Sequence, residues 1–96
     1  MNRRMPPLNA LKAFEAAARL LSFTAASAEL NVTQAAISHQ VKGLEDYLGY
    51  SLFKRLRRNL SLTSQGEALM PVLADDFDDI ANAVVSLKQE KGGSVL

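Results

Sequence analysis

Two helical segments separated by a turn of about three residues constrain the fold of this chain more than any other feature. Residues 25–30 are strong helix formers, and the hydroxyl of Thr24 is suited to cap them. Thr33 is suited to cap a longer helix over residues 34–48. A short helix, a tight turn and a longer helix form the layout of a helix-turn-helix.

The residues around these two segments fit the same layout. Asn31 tolerates left-handed backbone geometry in the turn, Val32 can point inward from it, and Gly49 is suited to end the longer helix. An amphipathic helix is also predicted over residues 8–21. Its apolar face consists of Leu8, Leu11, Phe14, Ala18 and Leu21. The sequence therefore predicts three helices before residue 50.

The helix over residues 34–48 has two distinct faces at 100° per residue. Its apolar stripe consists of Ile37, Val41, Leu44 and Leu48. A separate face consists of Gln34, Ala35, Ser38, His39 and Lys42. An amide, a hydroxyl, an imidazole, a methyl group and a cation are the groups that contact base edges and phosphates in a DNA major groove. Glu45 and Asp46 follow on the same side and would repel phosphate, so the N-terminal half is predicted to enter the groove.

A basic hairpin, or wing, is predicted directly after this helix. Short apolar runs at 51–53 and 60–62 flank a polar segment at 54–59. The segment carries four cations, Lys54, Arg55, Arg57 and Arg58. A basic loop alone is usually just solvated, but beside a recognition helix it supplies phosphate neutralisation, and an arginine at its tip can enter a minor groove.

A long helix is predicted from a capping box at Ser64 and Glu67 to about Lys91, with a local kink at Pro71. Its apolar residues are Met70, Leu73, Phe77, Ile80, Val84 and Leu87. Their spacing of 3, 4, 3, 4 and 3 residues is a heptad seam. The alternative is that this stripe packs only on its own domain, but a helix of this length extends past a body of about sixty residues, so we expect its outer part to pair with a second copy of the chain. The four aspartates between residues 75 and 79 fall away from the seam and are interpreted as solvated rather than metal-binding.

Charge is distributed unevenly along the 96 residues. Residues 1–67 hold nine Lys/Arg against five Asp/Glu, a balance of +4, whereas residues 68–96 hold two against five, a balance of −3. Only the front of the chain is therefore expected to contact a polyanion. No secretion signal and no apolar stretch of membrane-spanning length is present, so we expect a cytoplasmic, nucleoid-associated protein without membrane contact.

Two other classes of function compete with DNA binding. An enzyme is disfavoured because the chain has one histidine, no cysteine and no glycine-rich phosphate loop, and no metal or cofactor is expected. A protein-interaction module would use the long helix and leave the basic wing unused. A salt titration separates this interaction module from a DNA-binding regulator, since phosphate neutralisation makes DNA affinity fall steeply with salt.

The stretch from residue 8 to residue 71 resembles the DNA-binding domain of LysR-type transcriptional regulators. The resemblance rests on Leu8-Asn9-Ala10-Leu11, Ser22-Phe23-Thr24, Val32-Thr33-Gln34-Ala35-Ala36-Ile37-Ser38-His39-Gln40-Val41, Leu52-Phe53-Lys54-Arg55 and Leu62-Thr63 with Gly66. It is greatest for the subgroup that contains the glycine-cleavage activator and the β-lactamase regulator.

The resemblance implies a mainly α fold, a winged helix-turn-helix at 1–63 followed by a linker or dimerisation helix at 64–91 and a hinge at 92–96. It implies that base reading falls to Gln34, Ala35, Ser38 and His39. It implies that phosphate or minor-groove contacts fall to Thr24, Thr33, Lys42, Lys54, Arg55, Arg57 and Arg58. The implied partners are double-stranded DNA at dyad-related promoter sites, a second copy in a homodimer, a tetramer for longer relatives, and RNA polymerase. A small-molecule effector would bind a C-terminal domain beyond residue 96.

Overall fold

The computed structural model describes residues 5–57 and 59–90, which form four helices and one β-hairpin. The helices are α1 (Leu8–Leu20), α2 (Phe23–Leu30), α3 (Gln34–Leu48) and α4 (Ser64–Glu90). Strands β1 (Phe53–Leu56) and β2 (Asn59–Leu62) pair antiparallel, with Phe53 opposite Leu62 and Leu56 opposite Asn59. The predicted hinge at 92–96, the predicted helix end at Lys91 and the wing residue Arg58 lie outside the described residues. Among the described residues, no helix is both long and apolar enough to cross a membrane.

The hydrophobic core forms where α1, α3 and the start of the hairpin meet. Phe14, Ile37, Leu44 and Leu52 are almost completely buried there. Phe53 lies between two other aromatic rings, with its centroid 5.5 Å from that of Phe14 and 5.3 Å from that of Phe23. Alanines on α1 let the neighbouring helices approach closely, and they are Ala10, Ala13, Ala16, Ala17 and Ala18. The hairpin is therefore attached to the helices through its first residues.

The ends of the two central helices follow local rules of capping. Asn31 and Gly49 end α2 and α3 in left-handed geometry, with φ of 59° and 81°, as predicted. The Thr33 hydroxyl accepts a hydrogen bond from the Ala36 amide and caps α3, also as predicted. The prediction for α2 is wrong by two residues, because Ser22 rather than Thr24 is its cap.

Four apolar residues that were predicted to face the core are exposed. They are Leu8, Leu21, Val32 and Leu48. Leu8 and Leu48 stand at helix ends, and Leu21 adopts left-handed geometry just after α1, so each extends past the packed body. The Val32 amide donates a hydrogen bond to the Ser27 carbonyl, so its backbone closes the end of α2. Its side chain points outward and is 47% exposed.

The wing has a shorter turn than the sequence predicts. Lys54 and Arg55 belong to β1 rather than to a loop, and the last residue of β1, Leu56, pairs with Asn59. Arg57 has a φ of 55°, the left-handed geometry that two-residue hairpin turns require. Two of the four cations are therefore held on a strand, where their directions are fixed by the pleat.

The start of α4 is locked onto the segment that precedes β1. Thr63, not Ser64, is the cap: its hydroxyl accepts from the Gly66 amide at 3.1 Å and donates to the Ser51 carbonyl at 2.7 Å. Gly66 is buried, and a β-carbon there would lie far inside contact distance of the Leu52 carbonyl oxygen. We call this contact between residues 51–52 and 63–66 the α4 anchor.

The helix α4 has 27 residues and is therefore about 40 Å long. It continues through Pro71, which is exposed. Leu73 is buried in the core, and Met70 and Phe77 pack partly against it. The later seam residues Ile80, Val84 and Leu87 are exposed. The heptad seam thus divides into a first half that packs on its own domain and a second half that extends beyond it.

An ion-pair network connects α1 and α2. Arg19 donates to Glu15 one turn earlier at 2.9 Å and also pairs with Glu29 of α2. The hydrogen bond from Arg19 lowers the pKa of Glu29 below its usual range. A lowered pKa means that this contribution to stability is present above the usual carboxyl pKa and is lost as the pH falls through the lowered value. Since the pair is largely exposed, its contribution is small.

Candidate nucleic-acid interface

The helix α3 has the two faces that its sequence predicts. Burial of Ile37, Val41 and Leu44 in the core turns the opposite face of the helix outward. On that face Gln34, Ala35, His39 and Lys42 are exposed, and Ser38 is half-buried. A helix that presents exposed polar groups along its first two turns has the size and the shape that a DNA major groove admits.

A groove of about 380 Å³ lies between α3 and the wing. Ser38 and Lys42 line it from α3, and Arg55 lines it from β1. The Arg55 guanidinium lies 4.7 Å from the centre of the Phe23 ring, a cation–π distance that holds the side chain over the start of α2. The structure thus brings one predicted base-reading residue and two predicted phosphate contacts to a single groove.

The other wing cations lie elsewhere. Lys54 and Arg55 are consecutive in β1, so their side chains leave opposite faces of the hairpin and Lys54 points away from the groove. Arg57 and Arg55 line a second cleft of about 250 Å³, against Ser22 at the start of α2. The wing therefore presents its positive charge in more than one direction.

Two threonines predicted to contact phosphate use their hydroxyls differently. The Thr33 hydroxyl oxygen accepts from the Ala36 amide, which leaves its hydrogen available to a ligand. The Thr24 hydroxyl donates its hydrogen to Oε1 of Gln34 at 3.1 Å, across the turn between α2 and α3. Thr24 is therefore joined to the first residue of the recognition helix.

Lys42 pairs with Asp46 one turn later, with 3.3 Å between Nζ and the carboxylate oxygen. Both side chains are largely exposed, so the pair is weak and a phosphate can replace the carboxylate as the partner of Lys42. The lysine has three N–H donors, and one carboxylate occupies only part of that capacity. Asp46 therefore does not remove Lys42 from the interface.

Glu45 has a role that the sequence analysis missed. Its Oε2 accepts hydrogen bonds from the backbone amides of Leu52, at 2.7 Å, and Phe53, at 3.4 Å. The carboxylate is thus bonded to the start of β1, although Glu45 also lines the groove beside Ser38 and Lys42. The only signal in the sequence was an acidic residue placed just before a helix end, which does not identify a partner seven residues away. Glu45 connects the recognition helix to the wing.

The described residues contain no group of three or more His, Asp or Glu side chains close enough to hold a metal ion. The groove between α3 and the wing does bring together the Ser38 hydroxyl and two cations, Lys42 and Arg55, with the Glu45 carboxylate bonded to the β1 backbone. Such groups suit a large anionic ligand bound at the surface.

Comparisons with known proteins agree with this geometry. The family model described as "Bacterial regulatory helix-turn-helix protein, lysR family" matches residues 8–67. The HTH-type transcriptional activator AmpR of Pseudomonas aeruginosa is 63% identical over 87 residues, which cover 91% of this chain and 28% of that protein. The glycine cleavage system transcriptional activator of Escherichia coli is 48% identical over all 96 residues, or 32% of its own length. The chain thus spans less than a third of these relatives.

Solved structures give the same result. The DNA-binding domain of BenM in complex with catB site 1 DNA has a TM-score of 0.79 at 27% identity, and the match covers 92% of this chain and 99% of that one. The CbnR DNA-binding domain in complex with DNA has a TM-score of 0.72 at 27% identity, and the match covers 88% of this chain and 98% of that one.

The fold is accordingly a winged helix-turn-helix with a long C-terminal helix, as the sequence predicted. The chain belongs to the LysR family of bacterial regulatory helix-turn-helix proteins. The two named relatives are transcriptional activators, which places the chain in a family of regulators rather than of enzymes. The subgroup predicted from the sequence contains both of these relatives.

Proposed function

We propose that this chain is the sequence-specific DNA-binding and dimerisation part of a LysR-type transcriptional regulator. The observation that carries the proposal is the outer face of α3, where Gln34, Ala35 and His39 are exposed along a helix whose other face is buried. The bound DNA in the complexes of the similar BenM and CbnR domains supports it. In this proposal the domain extends over residues 1–63, the linker helix over 64–91 and the hinge over 92–96.

The recognition helix would read bases in the major groove through Gln34, Ala35, Ser38 and His39. A glutamine amide can make a bidentate contact with adenine, and a methyl group can contact that of thymine. Thr33, Lys42 and the wing cations would bind phosphates, which contribute affinity without base discrimination. Arg57 follows the end of β1 at the wing turn, and Arg57 or Arg58 would enter a minor groove.

The exposed second half of α4 would pair with that of a second copy, so that two recognition helices meet a dyad-related promoter site. Longer proteins that contain this domain would form tetramers, bind a small-molecule effector through a C-terminal domain and contact RNA polymerase. All of this takes place in the cytoplasm, on the nucleoid.

Two substitutions on α3 test the base-reading role. Gln34→Ala should weaken binding to a site selected from random duplexes by about tenfold or more, and should weaken binding to unselected duplex much less. Lys42→Ala should weaken both by similar factors, because it removes a phosphate contact. Competition titrations on the two duplexes give the specificity ratio directly. Equal losses on both for Gln34→Ala would remove Gln34 from the base-reading set.

A further inference from the structure

The hydrogen bond between Thr24 and Gln34 joins the two helices of the helix-turn-helix at their exposed N-terminal ends. Thr24 lies in the first turn of α2, and Gln34 is the first residue of α3. Both side chains are exposed, and the Thr24 hydroxyl donates to Oε1 of Gln34 at 3.1 Å. The bond is therefore formed at the surface, between two side chains that do not belong to the hydrophobic core.

The hydrogen count of the hydroxyl limits what Thr24 can do. A threonine hydroxyl has a single hydrogen, and phosphate oxygens act only as acceptors. While Thr24 donates to Gln34, it has no hydrogen left for a phosphate. Thr33 differs, because its oxygen accepts from the α3 backbone and its hydrogen remains available. Both threonines were predicted to contact phosphate, and they differ in whether the hydroxyl hydrogen is already used within the protein.

The same bond orients the amide that would read a base. A glutamine side chain carries its acceptor and its donors on opposite sides of one planar group, and rotation exchanges them. With Oε1 turned to Thr24, Nε2 makes no hydrogen bond within residues 5–57 and 59–90. The second lone pair of Oε1 is also left for a ligand. The amide therefore presents a donor and an acceptor in a set order before any DNA is bound.

We propose that Thr24 is a positioning residue for base readout, which preorganises Gln34 and so raises the discrimination between bases at the position that Gln34 contacts. This inference rests on the proposed function of Gln34. A side chain that is already immobilised loses less conformational freedom when it binds. An amide held in one orientation also cannot rotate to suit a different base pair, so complexes with the wrong base pair are weaker. The ligand is the major-groove edge of a purine, whose N7 accepts from the amide nitrogen.

The test is a double-mutant cycle on the 96-residue chain. Thr24→Val removes the hydroxyl but keeps the shape of the side chain, and Thr24→Ser keeps the hydroxyl. The probes are a duplex selected from a random library, the same duplex changed at the base pair whose preference Gln34→Ala abolishes, and an unselected duplex. Equilibrium binding is measured for each single variant and for Thr24→Val in the Gln34→Ala background.

Thr24→Val should reduce discrimination at that one base pair by about threefold to tenfold and leave affinity for unselected duplex unchanged. Thr24→Ser should stay within about twofold of the parent chain. In the Gln34→Ala background, Thr24→Val should have no further effect, because its partner is gone. Unfolding midpoints of the variants control for damage to α2.

Three results would overturn the inference. Equal losses on selected and unselected duplex for Thr24→Val would return Thr24 to a phosphate contact. An effect of the same size with and without Gln34 would show that Thr24 does not act through the amide. If Gln34→Ala changes no base preference at all, the proposed base-reading role of Gln34 fails first, and the role of Thr24 falls with it.

Discussion

At the scale of the single residue, Gly66 is the position where the fold leaves no space for a side chain. A β-carbon there would run into the Leu52 carbonyl oxygen and would lie 3.1 Å from a methyl group of Leu62. The first obstacle is backbone, which cannot rotate away as a side chain can. Gly43 in α3 is the opposite case, since nothing lies within 4 Å of a β-carbon built on it.

We expect Gly66→Ala to lower the free energy of unfolding by about 1–3 kcal/mol, because the new methyl group forces α4 away from the residues before β1. Gly43→Ala is the matched control and should raise the free energy of unfolding by up to about 1 kcal/mol, the usual gain from replacing glycine inside a helix. Chemical denaturation of both variants measures the two changes. If both substitutions stabilise the protein to a similar degree, Gly66 does not approach the Leu52 carbonyl as closely as the structure shows.

At the scale of the elements, the wing is attached to the recognition helix through Glu45. Glu45→Ala leaves the Leu52 amide without its acceptor, so we expect faster hydrogen exchange at that amide and a loosened wing. The salt dependence of DNA binding should then flatten, because fewer phosphates are neutralised by a wing without a fixed position. Asp46→Ala is the control, since Asp46 pairs only with exposed Lys42. Unchanged exchange at Leu52 in Glu45→Ala would show that the carboxylate does not hold the wing.

The sequence predicted the elements well because their signals are local. Asn31, Thr33 and Gly49 were assigned correctly, since a cap depends on residues within one turn of it. At the starts of α2 and α4 the cap is an earlier residue than predicted, because neighbouring Ser and Thr residues compete for that role and packing selects among them. The Glu45 bond to β1 and the exposure of Val32 were not predictable, because both depend on how separate segments pack.

At the scale of the whole molecule, α4 carries a long apolar stripe whose later residues are left exposed by its own domain. Within the described residues, Leu73 closes the core, whereas Ile80 is 59% exposed and Val84 and Leu87 follow it on the same stripe. The spacing of apolar residues in the sequence predicted one continuous seam along α4. It did not reveal where the seam passes from core to surface, because the same spacing serves both purposes.

We expect Ile80→Asp to prevent dimer formation without unfolding the domain, because an unpaired charge is strongly unfavourable in an apolar interface and harmless at an exposed site. Asn82→Asp introduces the same charge on the opposite side of α4 and should leave the dimer intact. Sedimentation equilibrium gives the association state, and thermal unfolding verifies the fold. A dimer of undiminished stability in Ile80→Asp would place the contact between copies elsewhere.

The α4 anchor also has a mechanical consequence. The helix is a stiff rod of about 40 Å whose first turn is bonded to Ser51 and pressed against Leu52, the residues from which the wing departs. Glu45 ties those same residues to the recognition helix. A torque applied at the far end of α4 is therefore transmitted to the wing and to the recognition helix together.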